Sequence, residues 1–255
     1  MDATSEPRDA PPRDAANWAQ PISKLKVSDA PTGAIHSNLD GRQVTSPLQG
    51  FGRLWRRTYR VRLSGVQTTP AHVVKEWKEN LGKFQMPNNH FYPSLAGVKP
   101  GEVVFIDSTL PVWPGSPGIV PVSVGVLVLY ADDEMFTVMT PEGHPVSGWN
   151  TFSAYEEDGS TVAQVQALIR ASDPIYEFGY RFMGGEDAED KVWIGALDAL
   201  AAHWGVKGQV QVQKSILDPE IQWSEWKNIW RNAAIRTTLY LLASPLRWVS
   251  QLFKR

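Results

Sequence analysis

The chain contains no cysteine in its 255 residues. A disulfide framework, a thiolate metal site and a cysteine nucleophile are therefore excluded. An excess of one charge is lacking too. Lys and Arg number 25 against 27 Asp and Glu, a net of −2, so nucleic acid is not an expected partner of the chain as a whole. The sequence does not open with a basic segment and an apolar run. Asp2, Glu6, Asp9 and Asp14 outnumber Arg8 and Arg13 there, which argues against a secretory signal and predicts a cytoplasmic location. Catalytic signatures are missing as well: there is no HExxH, no GxSxG and no phosphate-cradling loop. His36, His72, His90, His144 and His203 show no helical zinc spacing, so no metal and no cofactor are expected.

What is present is enough apolar material for a core. Apolar residues make up 42% and charged residues 20%, which excludes wholesale disorder. That material is unevenly spread. Residues 1–47 hold six prolines and only eight large apolar residues. This is too little to offset an ordering cost of roughly 1–2 kcal/mol per residue. The segment is read as a disordered arm, in which Trp18 and Ile22 can dock.

Residues 48–205 carry the periodicity. FGRLWRRTYRVRL alternates as a strand, with Trp55, Arg57, Tyr59 and Val61 on its more apolar face, and is expected at an edge or facing solvent. Its five arginines can track a phosphate backbone or form a solvated strand face. Thr69-Pro70 opens a short amphipathic helix ending before Gly82. Residues 85–100 read as a proline-rich loop. Five strands then follow within 101–171: GEVVFIDST, GIVPVSVGVLVLY, EMFTVMT, VSGWNTFSAYEE and STVAQVQALIRAS. The second is apolar on both faces and so belongs where both are covered. The links are short and polar, which makes the strands an antiparallel meander. Asp173-Pro174 starts a helical region, Gly184-Gly185 interrupts it, and Gly205 stops it.

Strand, helix, antiparallel meander and long closing helix are similar in order to the START and polyketide-cyclase/pollen-allergen superfamily. That resemblance implies an α+β helix-grip fold, a strongly curved antiparallel sheet covered by a long C-terminal helix. To this the chain adds the disordered N-terminal arm and an amphipathic C-terminal helical extension. The run MTPEGHPVSGWNTFSAYEEDGS also resembles a bacterial and plant family, domain of unknown function nineteen-ninety. The matching positions are Gly143, His144, Pro145, Gly148 and Phe152; Trp149 and Asn150 depart from its pattern.

Such a fold implies a space between sheet and helix. Small residues along 161–171 and the glycines at 179, 184 and 185 leave volume there, unless Trp149, Phe152, Phe178, Phe182 and Trp193 fill it. Tyr155, Gln164, Gln166, Arg170, Tyr176, Tyr180, Arg181 and His144 are the candidate ligand-orienting residues. The expected function is non-enzymatic binding of a hydrophobic small molecule or lipid. The alternatives are a cyclase or dehydratase type of enzyme, with His144, Asp107 and Tyr180 as first candidates, and a protein-interaction module with a filled core.

Residues 206–220 read as a linker with a short strand at 209–213. Residues 221–255 carry six basic side chains against Glu225 alone and four of the eleven tryptophans. Trp223, Trp226, Trp230, Arg231, Arg236 and Trp248 are candidate contacts to an anionic membrane surface, with the helix lying in the headgroup plane. Docking on the protein's own domain or another subunit, and contact with nucleic acid, are the other readings. The longest uncharged stretch, Thr237 to Leu246, is ten residues, where a span needs about 20.

Overall fold

A computed structural model describes residues 15–27, 38–86 and 89–243. In chain order the elements are β1 (Leu54–Arg62), α1 (Pro70–Glu79), β2 (Asn89–Tyr92), β3 (Val103–Leu110), β4 (Val120–Ala131), β5 (Met135–Met139), β6 (Val146–Glu157), β7 (Ser160–Ala171), α2 (Pro174–Phe182), α3 (Gly185–His203), β8 (Gln211–Asp218), a 3₁₀ segment Trp223–Arg231 and α4 (Ala233–Leu242). The strands form one antiparallel sheet in the order β2-β3-β4-β5-β6-β7-β1-β8. Helices α1, α2 and α3 pack against β1, β6 and β7. This is the expected α+β helix-grip arrangement.

Local chemistry explains the elements. Between β4 and β5, the Asp132 carboxylate accepts the N–H groups of Glu134 and Met135, both at 2.8 Å. Between β6 and β7, Asp158 and Gly159 take φ of 49° and 70°, the left-handed pair that a tight hairpin requires. The Thr69 hydroxyl caps α1 through His72 N–H at 3.2 Å. Asp173 caps α2 through the N–H groups of Ile175 and Tyr176 at 2.8 and 3.0 Å. An aromatic cluster fills the core beneath α1 and α3. Phe136 and Phe152 stack at 4.5 Å, with Trp77 and Trp193 edge-on to Phe152 at 5.3 and 5.6 Å.

The elements missed by periodicity are those that complete an edge or cover a face. Strand β1 is not at an edge: it lies between β7 and β8. The short strand expected at 209–213 in the linker is longer and lies further on, as β8 at Gln211–Asp218, whose polar, exposed sequence suits the outermost strand. The supposed loop 85–100 contains β2, the opposite edge.

The arm departs most from expectation. Its described parts pack on the outer face of the sheet, where Leu25 and Leu39 are buried with Val103, Phe105 and Leu127. Trp18 bridges to Tyr130 with its ring edge-on at 4.7 Å. A Cβ on Gly125 of β4 would stand 2.5 Å from the Val104 carbonyl oxygen and 2.9 Å from the Leu39 side chain. This cover is why β4 is apolar on both faces.

The extension also packs on the sheet. Strand β5 ends at Met139, opposite Leu127 of β4, leaving the first half of β4 with a bare edge. Helix α4 occupies that place. The Ser123 N–H donates to Thr237 Oγ1 at 3.1 Å. The Ser123 carbonyl accepts from Asn38 Nδ2 at 2.8 Å. Asn38 Nδ2 also donates to Thr237 Oγ1 at 2.9 Å. Asn232, Ala233, Ala234 and Thr237 are buried. Over the described residues, then, arm, domain, linker and extension differ in composition but pack as one body.

Candidate ligand cavity

A cavity of about 430 Å³ lies between the sheet and the later helices, within the range of about 300–1,000 Å³ that small-molecule sites occupy. Its floor is Ile106 of β3, the alternate valines Val120, Val122, Val124 and Val126 of β4, Phe136 and Val138 of β5, and Asn150 and Phe152 of β6. Its roof is Ile175, Phe178 and Gly179 of α2 with Ala188, Val192 and Trp193 of α3. Ala234 of α4 and Pro111 and Val112 of the β3–β4 loop close its sides. A Cβ on Gly179 would meet nothing within 4 Å, whereas Gly185 lets α3 approach α2, since a Cβ there would stand 3.0 Å from Tyr180 Cα. Ile175 and Phe178 belong to the lining and are also exposed, so they stand where the cavity meets the surface.

The polar groups of the wall are few. His144 lies in the β5–β6 turn. Its Nδ1 faces the Val146 backbone, 3.2 Å from the nitrogen and 3.1 Å from the carbonyl oxygen, and is engaged there in either tautomer. Burial pushes the His144 pKa down to about 4, so the ring is neutral near pH 7. Nε2 meets no hydrogen-bond partner among the described residues. Asn150 is buried, and its Oδ1 has no partner. Asn89 and Ser108, opposite each other on β2 and β3, also line the wall. The Tyr176 hydroxyl accepts the Ala234 N–H at 3.0 Å, tying α2 to α4. Burial raises the Tyr176 pKa, which keeps it protonated.

Among the described residues the one carboxylate on the wall is Glu189, and it is already engaged. The Tyr180 hydroxyl donates to it at 2.6 Å, and Arg57 Nη1 lies 3.0 Å away. Arg57 is fully buried, with Trp55 and Tyr180 rings at 4.9 and 5.5 Å from its guanidinium carbon. Burial works against the Arg57 charge, but Glu189, Tyr180, Tyr59 and Glu186 outweigh it and the pKa rises. Lys214 of β8 pairs with Glu186 and Asp190 beside it. This cluster locks α3 onto β1 and β8 at the cavity's flank. The basic strand β1 therefore turns its middle arginine inward.

The residues proposed from sequence divide sharply. His144, Tyr176 and Tyr180 come together on the wall. Tyr155, Gln164, Gln166 and Arg170 do not: they lie on the other face of β6 and β7. Gln164 accepts from Arg60 Nε at 2.8 Å, and Gln166 reaches Thr58. Arg170 is buried and holds the end of β8 through Asp218 and the carbonyls of Gly52 and Glu220. Arg181 is part-exposed and lies 3.9 Å from Glu177. Asp107 stands opposite His90, not on the wall. The small-residue face of β7 lies beneath α1 and α3 and does not line the cavity. Of the bulky residues that stood against a cavity, Phe152 and Trp193 fill its inner end, while Phe178 and Phe182 are exposed. Asn89, Ser108, Asn150 and Glu189 went unread. The available signal was Asn150, a polar residue on the apolar face that Phe152 and Ala154 share.

On the extension, Trp223, Trp226 and Trp230 are exposed. Trp223 packs edge-on to Phe51 at 5.3 Å. Arg231 pairs with Glu142 at 2.9 Å, and Arg236 Nε donates to Asn38 at 3.1 Å. Trp248 lies outside the described residues. Among the described residues no helix is long and apolar enough to cross a membrane, and no group of three His, Asp or Glu is placed to hold a metal ion.

No protein-family model matches the sequence, and no curated protein matches it either. Solved structures of similar shape include three at low identity. The di-domain aromatase/cyclase StfQ from the steffimycin biosynthetic pathway is 10% identical, with TM-score 0.44, over 60% of this chain and 51% of that one. The KanY protein (ms6282) is 10% identical, with TM-score 0.43, over 58% and 96%. Major latex-like protein 151 from Panax ginseng is 9% identical, with TM-score 0.37, over 60% and 99%. The helix-grip assignment rests on the chain's own sheet order and helix placement.

Proposed function

We propose that this protein binds a hydrophobic small molecule or lipid in the cavity beneath α2, α3 and α4, and that its extension rests on an anionic membrane surface. The observation that carries the first part is an apolar cavity of ligand size whose wall holds an unpartnered Asn150 oxygen. A buried polar atom without a partner is costly unless an occupant supplies one. The second part is supported by Trp223, Trp230 and Leu242, each more than two-thirds exposed at 71%, 76% and 71%. Lys227 follows Trp226 and Arg231 follows Trp230 in the sequence, the pairing that suits a headgroup zone.

Native mass spectrometry of freshly purified protein tests the binding. A co-purifying apolar compound is expected, and uptake of the neutral dye Nile red should fall at least tenfold in Val124→Phe and Ala188→Phe, which fill the space. Unchanged uptake in both variants, folded by circular dichroism, removes the cavity from the account. For the surface, flotation with phosphatidylcholine/phosphatidylglycerol vesicles at low salt should be lost in the Trp226→Ala/Trp230→Ala protein. Wild-type protein that stays out of the vesicle layer refutes the membrane part.

A further inference from the structure

We infer that the occupant is an uncharged amphiphile, apolar over most of its surface, whose hydroxyl groups meet His144 and Asn150. This rests on the binding reading above and narrows it to a ligand class.

The charge distribution carries the inference. Among the described residues no lysine or arginine lines the cavity. The nearest cation on its flank, Arg57, is fully buried among Glu186, Glu189 and Asp190. An occupant with a carboxylate or phosphate inside the cavity would find no counter-ion and would face Glu189. Burying such a charge unpaired is among the most costly events in a protein interior. An ammonium group fares little better. It would have to take Glu189 from Arg57 and Tyr180, stranding a buried guanidinium. Charges of both signs are thus turned away.

The polar points that remain ask for neutral partners. His144 Nε2 is left to the occupant, as donor or acceptor according to the role Nδ1 takes at the Val146 backbone. Asn150 Oδ1, in a side chain only 8% exposed, needs a donor. A hydroxyl, donor and acceptor at once, serves both groups whichever ring nitrogen carries the proton. The valines of β4, with Phe136 and Val138, supply an apolar wall for the rest of the molecule.

Displacement of Nile red by four ten-carbon chains tests this: 1-decanol, n-decane, decanoate and decylamine, at pH 7.5. In the wild type, 1-decanol should displace the dye at concentrations at least tenfold below those of decanoate and decylamine. It should also outcompete n-decane. Asn150→Leu and His144→Asn, assayed separately, should each narrow the decanol-over-decane preference at least threefold while still taking up the dye. His144→Asn offers the Val146 backbone both an acceptor and a donor, so its fold is guarded. Decanoate or decylamine matching decanol in the wild type overturns the assignment, as does a preference unchanged in both variants. A wild type that takes up neither dye nor any chain overturns the binding reading itself, and this assignment falls with it.

Discussion

The carbonyl oxygen of Arg231 stands where a Cβ on Gly143 would have to be. Gly143 has φ of 87°, and its own carbonyl accepts the Ala233 N–H at 2.9 Å. The Gly-His-Pro turn is thus the seat of the C-terminal extension as well as the carrier of His144.

Gly143→Ala should therefore detach the extension. Left-handed backbone costs a side chain about 1–2 kcal/mol, and the contact with Arg231 must open as well. A loss of roughly 3 kcal/mol in unfolding free energy is expected, measured by urea titration. Proteolytic cleavage within 221–243 should quicken in parallel. An unchanged midpoint with unchanged cleavage would remove the seat from the account.

His144 makes stability depend on pH in a defined direction. Its pKa falls from 6.5 to about 4 on folding. Between those values the unfolded chain binds more protons, so stability is full above pH 6.5 and declines as pH falls toward 4. The whole effect is about 3 kcal/mol. Asp173 and Glu177 act oppositely, since burial raises the pKa of each. The comparison that isolates the imidazole is wild type against His144→Asn. The stability difference between them should change by about this amount across pH 4–7, and parallel curves would sink the argument.

Arg57 is worth more as a partner than as a charge. Arg57→Ala leaves Glu189 buried without its cation and should cost about 3–5 kcal/mol. Replacing both groups, in Arg57→Met/Glu189→Met, should cost markedly less than the sum of the single changes. Additive losses in that double-mutant cycle would show that the two side chains are not coupled.

Asn150→Leu should stabilise the ligand-free protein. The change removes an unpartnered oxygen worth about 1–3 kcal/mol of desolvation and adds apolar bulk to the cavity wall. Thermal denaturation of delipidated protein should give a higher Tm than wild type. A lower Tm would mean that the amide has a partner in solution.

The meander was readable because each strand alternates and each link is polar and short. The caps at Thr69 and Asp173 were readable because capping is local chemistry. The arm was not. Leu25 and Leu39 sit alone in polar surroundings, and the only trace of their role was the two-sided apolarity of Val120–Ala131. Strand β2 escaped, and β8 was read only as a short strand at 209–213, because an edge strand needs no apolar period of its own. At the cavity, His144, Tyr176 and Tyr180 could be named, since turn and cap fixed their positions. Gln164, Gln166 and Arg170 alternate with the small residues of β7 and so lie on the face opposite the one taken for the cavity floor, which is itself covered. The bulk that covers it, on α1 and α3, comes from distant sequence.

The hydrogen bond from Asn38 to Thr237 joins residues 199 positions apart. During synthesis the first half of β4 must wait for the last helix before its bare edge is sealed. At about 5–20 residues per second, the hundred or so residues between Ser123 and Thr237 take on the order of ten seconds to emerge. Through that interval the nascent chain exposes an unsealed strand, the kind of surface to which holding chaperones attach.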